Sequence, residues 1–143
     1  MRLAQCSIFG CQARACSGKA NARDTKRKGD LETLQGAVEY YFSQNGVYPA
    51  GNYDSRQAAQ WTNFGAYFTS VLPTMPLDPL NGSGAGAMCS TCGEYYYSGT
   101  TGHYLISTYL ENSGSSFKTG NNQYGPYYSV SRGCTQTDFW NCN

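Results

Sequence analysis

The residues with reactive potential in this 143-residue chain are seven cysteines, one histidine and nine acids. Cys89-Ser-Thr-Cys92 is a CxxC, and Cys134 and Cys142 lie near the C-terminus. Four thiolates can make a tetrahedral zinc site. The second pair, however, is separated by seven residues and lacks the tight spacing of a zinc knuckle. A CxxC can also work as a redox pair, but here no helix start follows it, and Gly93 leads into a strand-like run. Joined as disulfides, the four cysteines allow three connectivities. Cys6, Cys11 and Cys16 carry no assignment. His103 begins a strand-like run with no nucleophile or acid placed to use it as a base, so it reads as a surface structural residue. No phosphate-binding loop, nucleophile elbow or His-rich metal signature is present. The reading is of a chain with no catalytic residues, no cofactor and no resident metal.

The elements that would position these residues start with the run from Ala22 to Pro49. Leu31, Leu34, Val38, Tyr41 and Phe42 recur at steps of three and four, which places them on one face of a helix over Arg23 to Gln44. Asp30, Glu32, Gln35 and Glu39 fall mostly elsewhere and are expected to face water. Asn45-Gly46 supplies the left-handed residue that closes a helix, and Pro49 forbids a restart. At roughly 1.5 Å per residue this helix is about 33 Å long, long enough to span a small domain or project from it.

After it, Gly51-Asn52-Tyr53-Asp54 reads as a loop, and Asp54 or Ser55 as the cap of a second helix. The stripe Ala58, Trp61, Phe64 or Gly65, Phe68, Leu72 belongs to that helix, lying on a sheet. Pro73, Pro76 and Pro79 hold the next stretch extended. Residues 81–86 are a glycine-rich turn cluster. Glu94–Ser98 and His103–Leu110 read as an antiparallel hairpin across Gly99-Thr-Thr-Gly102. Tyr104, Ile106 and Thr108 would share one face, and Leu105, Ser107 and Tyr109 the other. Residues 112–126 are turn-rich, 127–130 form a third strand, and the tail from Gly133 is a Cys-bounded loop. The expected fold is α+β: a long N-terminal helix packed on a small antiparallel sheet, with a short second helix.

Length allows one domain with a modest core. Charged residues are 13% of the chain and aromatics 15%, with 13 tyrosines and 17 glycines. That balance is unusual for a cytosolic enzyme and common on exported surface proteins. Seven of the ten basic residues lie before Gly29. The remainder holds three basic residues against eight acids, a net of −5. A basic arm suggests nucleic acid or the positive flank of a membrane segment. No aromatic-interleaved basic run supports the first, so no nucleic acid is expected.

The order of these elements resembles the globular head of type IV pilins and type II secretion pseudopilins. In that family a basic Ala-Arg stretch precedes Asp-Leu, and the helix ends in an Asn-Gly-x-Tyr-Pro turn. Here the matching residues are Ala22, Arg23, Lys26, Arg27, Asp30, Leu31, Tyr40, Tyr41, Asn45, Gly46, Tyr48 and Pro49. Leu72-Pro73 with Pro76-Leu77-Asp78-Pro79 resembles the family's loop from helix to sheet, and Tyr95–Tyr97 with Tyr104-Leu105 and Tyr109–Glu111 its first two strands. The likeness covers roughly residues 22–112. It implies a pilin-like domain over 22–143 and a structural subunit of a pilus or pseudopilus, at the cell surface or in the extracellular filament. Its implied partners are further copies of itself in a homo-oligomeric filament, the assembly machinery, and the inner membrane before assembly.

In an exported head, disulfides are the default. The preferred pairing is local, Cys89–Cys92 and Cys134–Cys142; the resemblance supports the second, which closes a small terminal loop. Some pseudopilins hold calcium past the strands, which takes six to eight oxygens. Past Glu111 the only acid is Asp138, so no high-affinity calcium site is expected. Residues 1–21 depart from the family. They carry Arg2, Gln5, Gln12, Arg14, Lys19 and three cysteines where the family has an apolar anchoring helix, and they cannot span a membrane. A truncated or misread start is the favoured explanation. As written, the chain is not expected to polymerise into a normal pilus. Two further classes remain: an extracellular module binding carbohydrate or another ligand, and a small zinc protein acting on nucleic acid.

Overall fold

The computed structural model describes residues 13–81, 93–111, 119–122 and 125–132. It is α+β, with a long N-terminal helix on an antiparallel sheet and a short second helix.

Helix α1 runs Ala13–Asn45, 33 residues or about 50 Å. It begins ten residues ahead of the expected start. The run before Arg23 contains no proline, and its Ala, Arg and Lys favour helix. The C-terminus is as read. Gly46 takes φ 72 and its N–H donates to the Phe42 carbonyl at 2.7 Å. The apolar stripe is buried as expected: Leu31, Leu34 and Val38 are fully buried, and Tyr41 and Phe42 pack against the core. Each such aliphatic side chain contributes about 1.5–3 kcal/mol by leaving water. Residues 18, 19, 21 and 22 are exposed, so this stretch of the helix runs on past Asp24, the first buried residue from Gly18 onward.

The sheet has five strands in the order β1-β2-β3-β5-β4, every neighbouring pair antiparallel. They are β1 Gly51–Asp54, β2 Tyr95–Gly99, β3 Tyr104–Tyr109, β4 Thr119–Asn122 and β5 Gly125–Arg132. The β2–β3 hairpin and the strand around 127–130 are where they were expected. Two strands are additions. Gly51–Asp54, read as a loop, pairs with β2 from Gly51↔Gly99 to Asp54↔Tyr96. The open edge of β2 supplies the ladder, and Tyr53 is held by stacking on Phe64 at 4.8 Å. β4 falls inside the turn-rich stretch, pairing Thr119↔Tyr128 to Asn122↔Gly125.

α1 packs on β3 and β5. Tyr104 and Ile106 of β3, with Tyr95 and Tyr97 of β2, lie fully buried in the core it covers. The alternate face is buried too, with Leu105 6% and Ser107 1% exposed. Helix α2, Ala58–Gly65, packs on β1 and continues as a 3-10 turn, Ala66–Phe68. The expected stripe is therefore split between two helical forms, and Ala58 is exposed. The expected cap is not used: Gln57 is the N-cap residue and makes no side-chain cap bond. Asp54 is instead engaged by Arg56, and Ser55 by Asn81 and Tyr95.

Candidate functional site

The stripe on α1 continues N-terminally in the same three-four rhythm: Asp24, Arg27, Leu31, Leu34, Val38. Arg27 and Asp24 thus point at the head, and both are buried, at 1% and 3% exposure. A guanidinium out of water is tolerated only when paired and hydrogen-bonded. Arg27 meets carboxylates from three elements. Its Nε and Nη2 donate to Asp78 at 2.6 and 3.1 Å in a fork. Its Nη1 donates to Asp24 at 2.8 Å and to Glu111 at 2.6 Å. Arg23, one turn back, donates twice to Glu111, at 2.7 and 2.5 Å.

Two of the three carboxylates also accept a backbone N–H. The Glu111 N–H donates to Asp24 at 3.0 Å, tying the exit of β3 to the helix. Asp78 Oδ1 also accepts the Leu80 N–H at 2.8 Å. The loop carrying Asp78 is fixed by the Trp61 indole N–H on the Pro76 carbonyl at 3.0 Å and by Lys26 on the Leu77 carbonyl at 3.3 Å. Lys26 also pairs with Asp30, which accepts the Tyr95 hydroxyl at 2.5 Å.

The charges respond to these contacts. Bonds from Arg23, outweighing burial, pull Glu111 down to about 2, with Arg27 adding to the effect. Burial alone would lower Arg27, but its bonds to Asp78 and Glu111 raise it above the ordinary value. Burial, then the Asp30 carboxylate, pushes the Tyr95 phenol well up.

Two smaller networks flank this one. Arg56 bridges Asp54 at 2.7 Å and Glu94 at 2.6 Å. Glu39, expected to face water, accepts the Tyr104 and Tyr48 hydroxyls at 2.8 and 3.2 Å and pairs with Arg132 at 2.9 Å. The structure therefore corrects the reading of Asp30 and Glu39 as solvent-facing charges. Both take hydroxyls from the tyrosine-rich sheet.

Of the residues singled out in the sequence, Arg23, Asp30 and Asp78 belong to the ionic cluster or its margin. Leu31 and Tyr48 belong to the core, Tyr48 stacking on Phe42 at 4.3 Å. Gly46 closes α1, and the buried Pro49 gives its carbonyl to the Tyr97 hydroxyl at 2.7 Å. Pro73 and Pro79 are exposed loop residues. His103 bonds to Thr100 across the hairpin turn. The disulfide residues Cys89, Cys92, Cys134 and Cys142 lie outside the described residues. Sequence reasoning missed Arg27 as a buried centre and Glu111 as its partner. The signal for Arg27 was the unbroken rhythm from 24 to 38; Glu111 had none.

The cluster binds elements together; its guanidinium stays protonated and offers neither nucleophile nor labile proton. Among the described residues, no group of three or more His, Cys, Asp or Glu is placed to hold a metal ion. A separate hollow of about 420 Å³ lies between α2 and the loop beyond it, lined by Trp61, Gly65, Leu72 and Met75 among others. No helix among the described residues is long and apolar enough to cross a membrane. No protein-family model, curated protein or solved structure matches the chain.

Proposed function

We propose that this chain is the head of a filament subunit of the type IV pilin or pseudopilin kind, with a structural rather than catalytic role. The observation that carries the reading is α1 itself. One 33-residue helix lays its C-terminal half across an antiparallel sheet, while residues 18–22 carry no buried side chain. A head built this way presents a helix for lateral packing, while its sheet tyrosines Tyr95, Tyr97 and Tyr104 are buried beneath it. The ionic cluster supports the reading, because it fixes the head to the helix at the point where the helix leaves it. In this reading the partners are further copies of the chain, the assembly machinery, and the membrane through an apolar helix that residues 1–21 do not provide.

The ligand-binding alternative gains little from Trp61. It is 3% exposed and its N–H is spent on Pro76, so it offers no open platform for stacking on a sugar. The nucleic-acid alternative loses much of its basic arm to internal pairing, since Arg23, Lys26 and Arg27 all face carboxylates.

Immunogold electron microscopy with antibodies to the purified head tests the proposal on cells that carry the gene. Gold along thin surface filaments is the expected result. Gold confined to the cell interior contradicts it.

A further inference from the structure

α1 is attached to the head in two chemically different ways. From Leu31 onward it is held chiefly by apolar packing through Leu31, Leu34, Ala37 and Val38, with Glu39 adding bonds to Tyr104, Tyr48 and Arg132. Among residues 18–30 the buried side chains are Asp24 and Arg27, both charged, and the tertiary bonds of that stretch include those to Asp78, Glu111 and the Leu77 carbonyl, with Asp30, just past Gly29, accepting the Tyr95 hydroxyl. Between the two zones sits Gly29. It is exposed, and a β-carbon there would meet nothing within 4 Å, so no packing demands a glycine. A glycine inside a helix weakens it relative to alanine. The Thr33 hydroxyl donates to the Gly29 carbonyl at 2.8 Å, a back-bond that bends helices.

We propose that α1 is a two-part lever. Arg27 is the latch that holds the N-terminal part to the head, and Gly29 is the hinge. Latched, the helix leaves the head near residue 22. Unlatched, it leaves near Leu31, roughly 12–14 Å further along at 1.5 Å per residue, while the core stays intact. Asp24 travels with the lever, whereas Asp78 and Glu111 remain on the head. The break therefore runs through the Arg27–Asp78, Arg27–Glu111 and Arg23–Glu111 pairs, the Glu111 N–H bond to Asp24 and the Lys26 bond to the Leu77 carbonyl. The lever stands whether or not the chain enters a filament.

Amide hydrogen exchange on the full chain reads the two zones separately. In Glu111→Gln, amides of residues 23–30 are expected to exchange on the order of tenfold faster, while those of 34–42 and β3 keep their protection. In Arg27→Met, residues 23–30 are expected to lose protection altogether, again with 34–42 and β3 protected. Gly29→Ala is expected to slow exchange at 26–32 in the otherwise unchanged chain. Protection lost in both zones together in Glu111→Gln, or unchanged at 23–30 in both latch variants, overturns the proposal. A Gly29→Ala chain with unaltered exchange removes the hinge.

Discussion

Gly93 lies so close to Asp78 that a β-carbon at 93 would fall 2.2 Å from Asp78 Oδ1. Its φ of +53 is also one that side-chain-bearing residues rarely adopt. The strand that begins at Tyr95 and the loop that supplies Arg27 with its forked partner are therefore fitted together at a glycine. Gly93→Ala is expected to cost about 2 kcal/mol or more, through backbone strain and displacement of Asp78. Urea denaturation measures it. Gly65→Ala is the control. Its β-carbon would meet only the flexible Met75 side chain, nearest atom Cγ at 2.6 Å, and the expected cost is under about 1 kcal/mol.

Removing the buried cation should matter more than removing an exposed one. Arg27→Met leaves Asp24, Asp78 and Glu111 facing one another and is expected to destabilise the fold by about 3 kcal/mol, the low end for a broken buried pair. The figure is low because Glu111 lies at the edge and can rehydrate. Lys26→Ala removes a half-exposed partner of Asp30 and is expected to cost less than about 1 kcal/mol. Equal losses in the two variants would contradict the assignment of Arg27 as the centre.

Acid should undo the same contacts. Glu111 titrates at about 2 in the fold against an ordinary value of 4.5. Its contribution is therefore fully present above 4.5 and is lost as pH falls through about 2. With allowance for screening at this partly exposed carboxylate, the expected loss is about 1–2 kcal/mol. Stability curves at pH 6, 4, 3 and 2 should show it, and Glu111→Gln should flatten that part of the profile.

The tyrosines act at the other end of the scale. Burial raises Tyr95, Tyr97 and Tyr104, and Tyr53 is pushed up to about 12, first by burial and then by Tyr67. The unfolded chain ionises these phenols near 10 and the folded chain holds their protons, so stability falls as pH rises above 10. Ultraviolet titration should show a fast-titrating exposed set and a buried set that ionises only on unfolding. All tyrosines titrating together near 10 in the folded chain would contradict the packing of these rings under α1.

Much of the fold was legible from one clean period and one signal of composition. Leu31 to Phe42 repeat at helical steps, and Tyr95–Ser98 with Tyr104–Tyr109 show strand composition across a Gly-bounded turn. Strand β1 was not legible, since four residues with a glycine carry no period and pair only because β2 offers an edge. The second helix was read as one stripe, although its last part tightens into a 3-10 turn at Ala66–Phe68. The ionic cluster was half visible. Arg23, Arg27, Asp30 and Asp78 were all named by the resemblance, but nothing in the sequence marked Arg27 as buried. Burial of an arginine depends on carboxylates 51 and 84 residues away, which local pattern does not encode.

The filament reading is tested most directly by photo-cross-linking from the projecting turns of α1. A photoreactive residue at Lys19, which is exposed, would be introduced into the chain made in its own cells. A ladder of covalent products at integer multiples of the chain mass, abolished when surface filaments are sheared away, is the predicted result. Exclusive cross-linking to nucleic acid, or a monomer with no self-adduct in cells that make the protein, would contradict it.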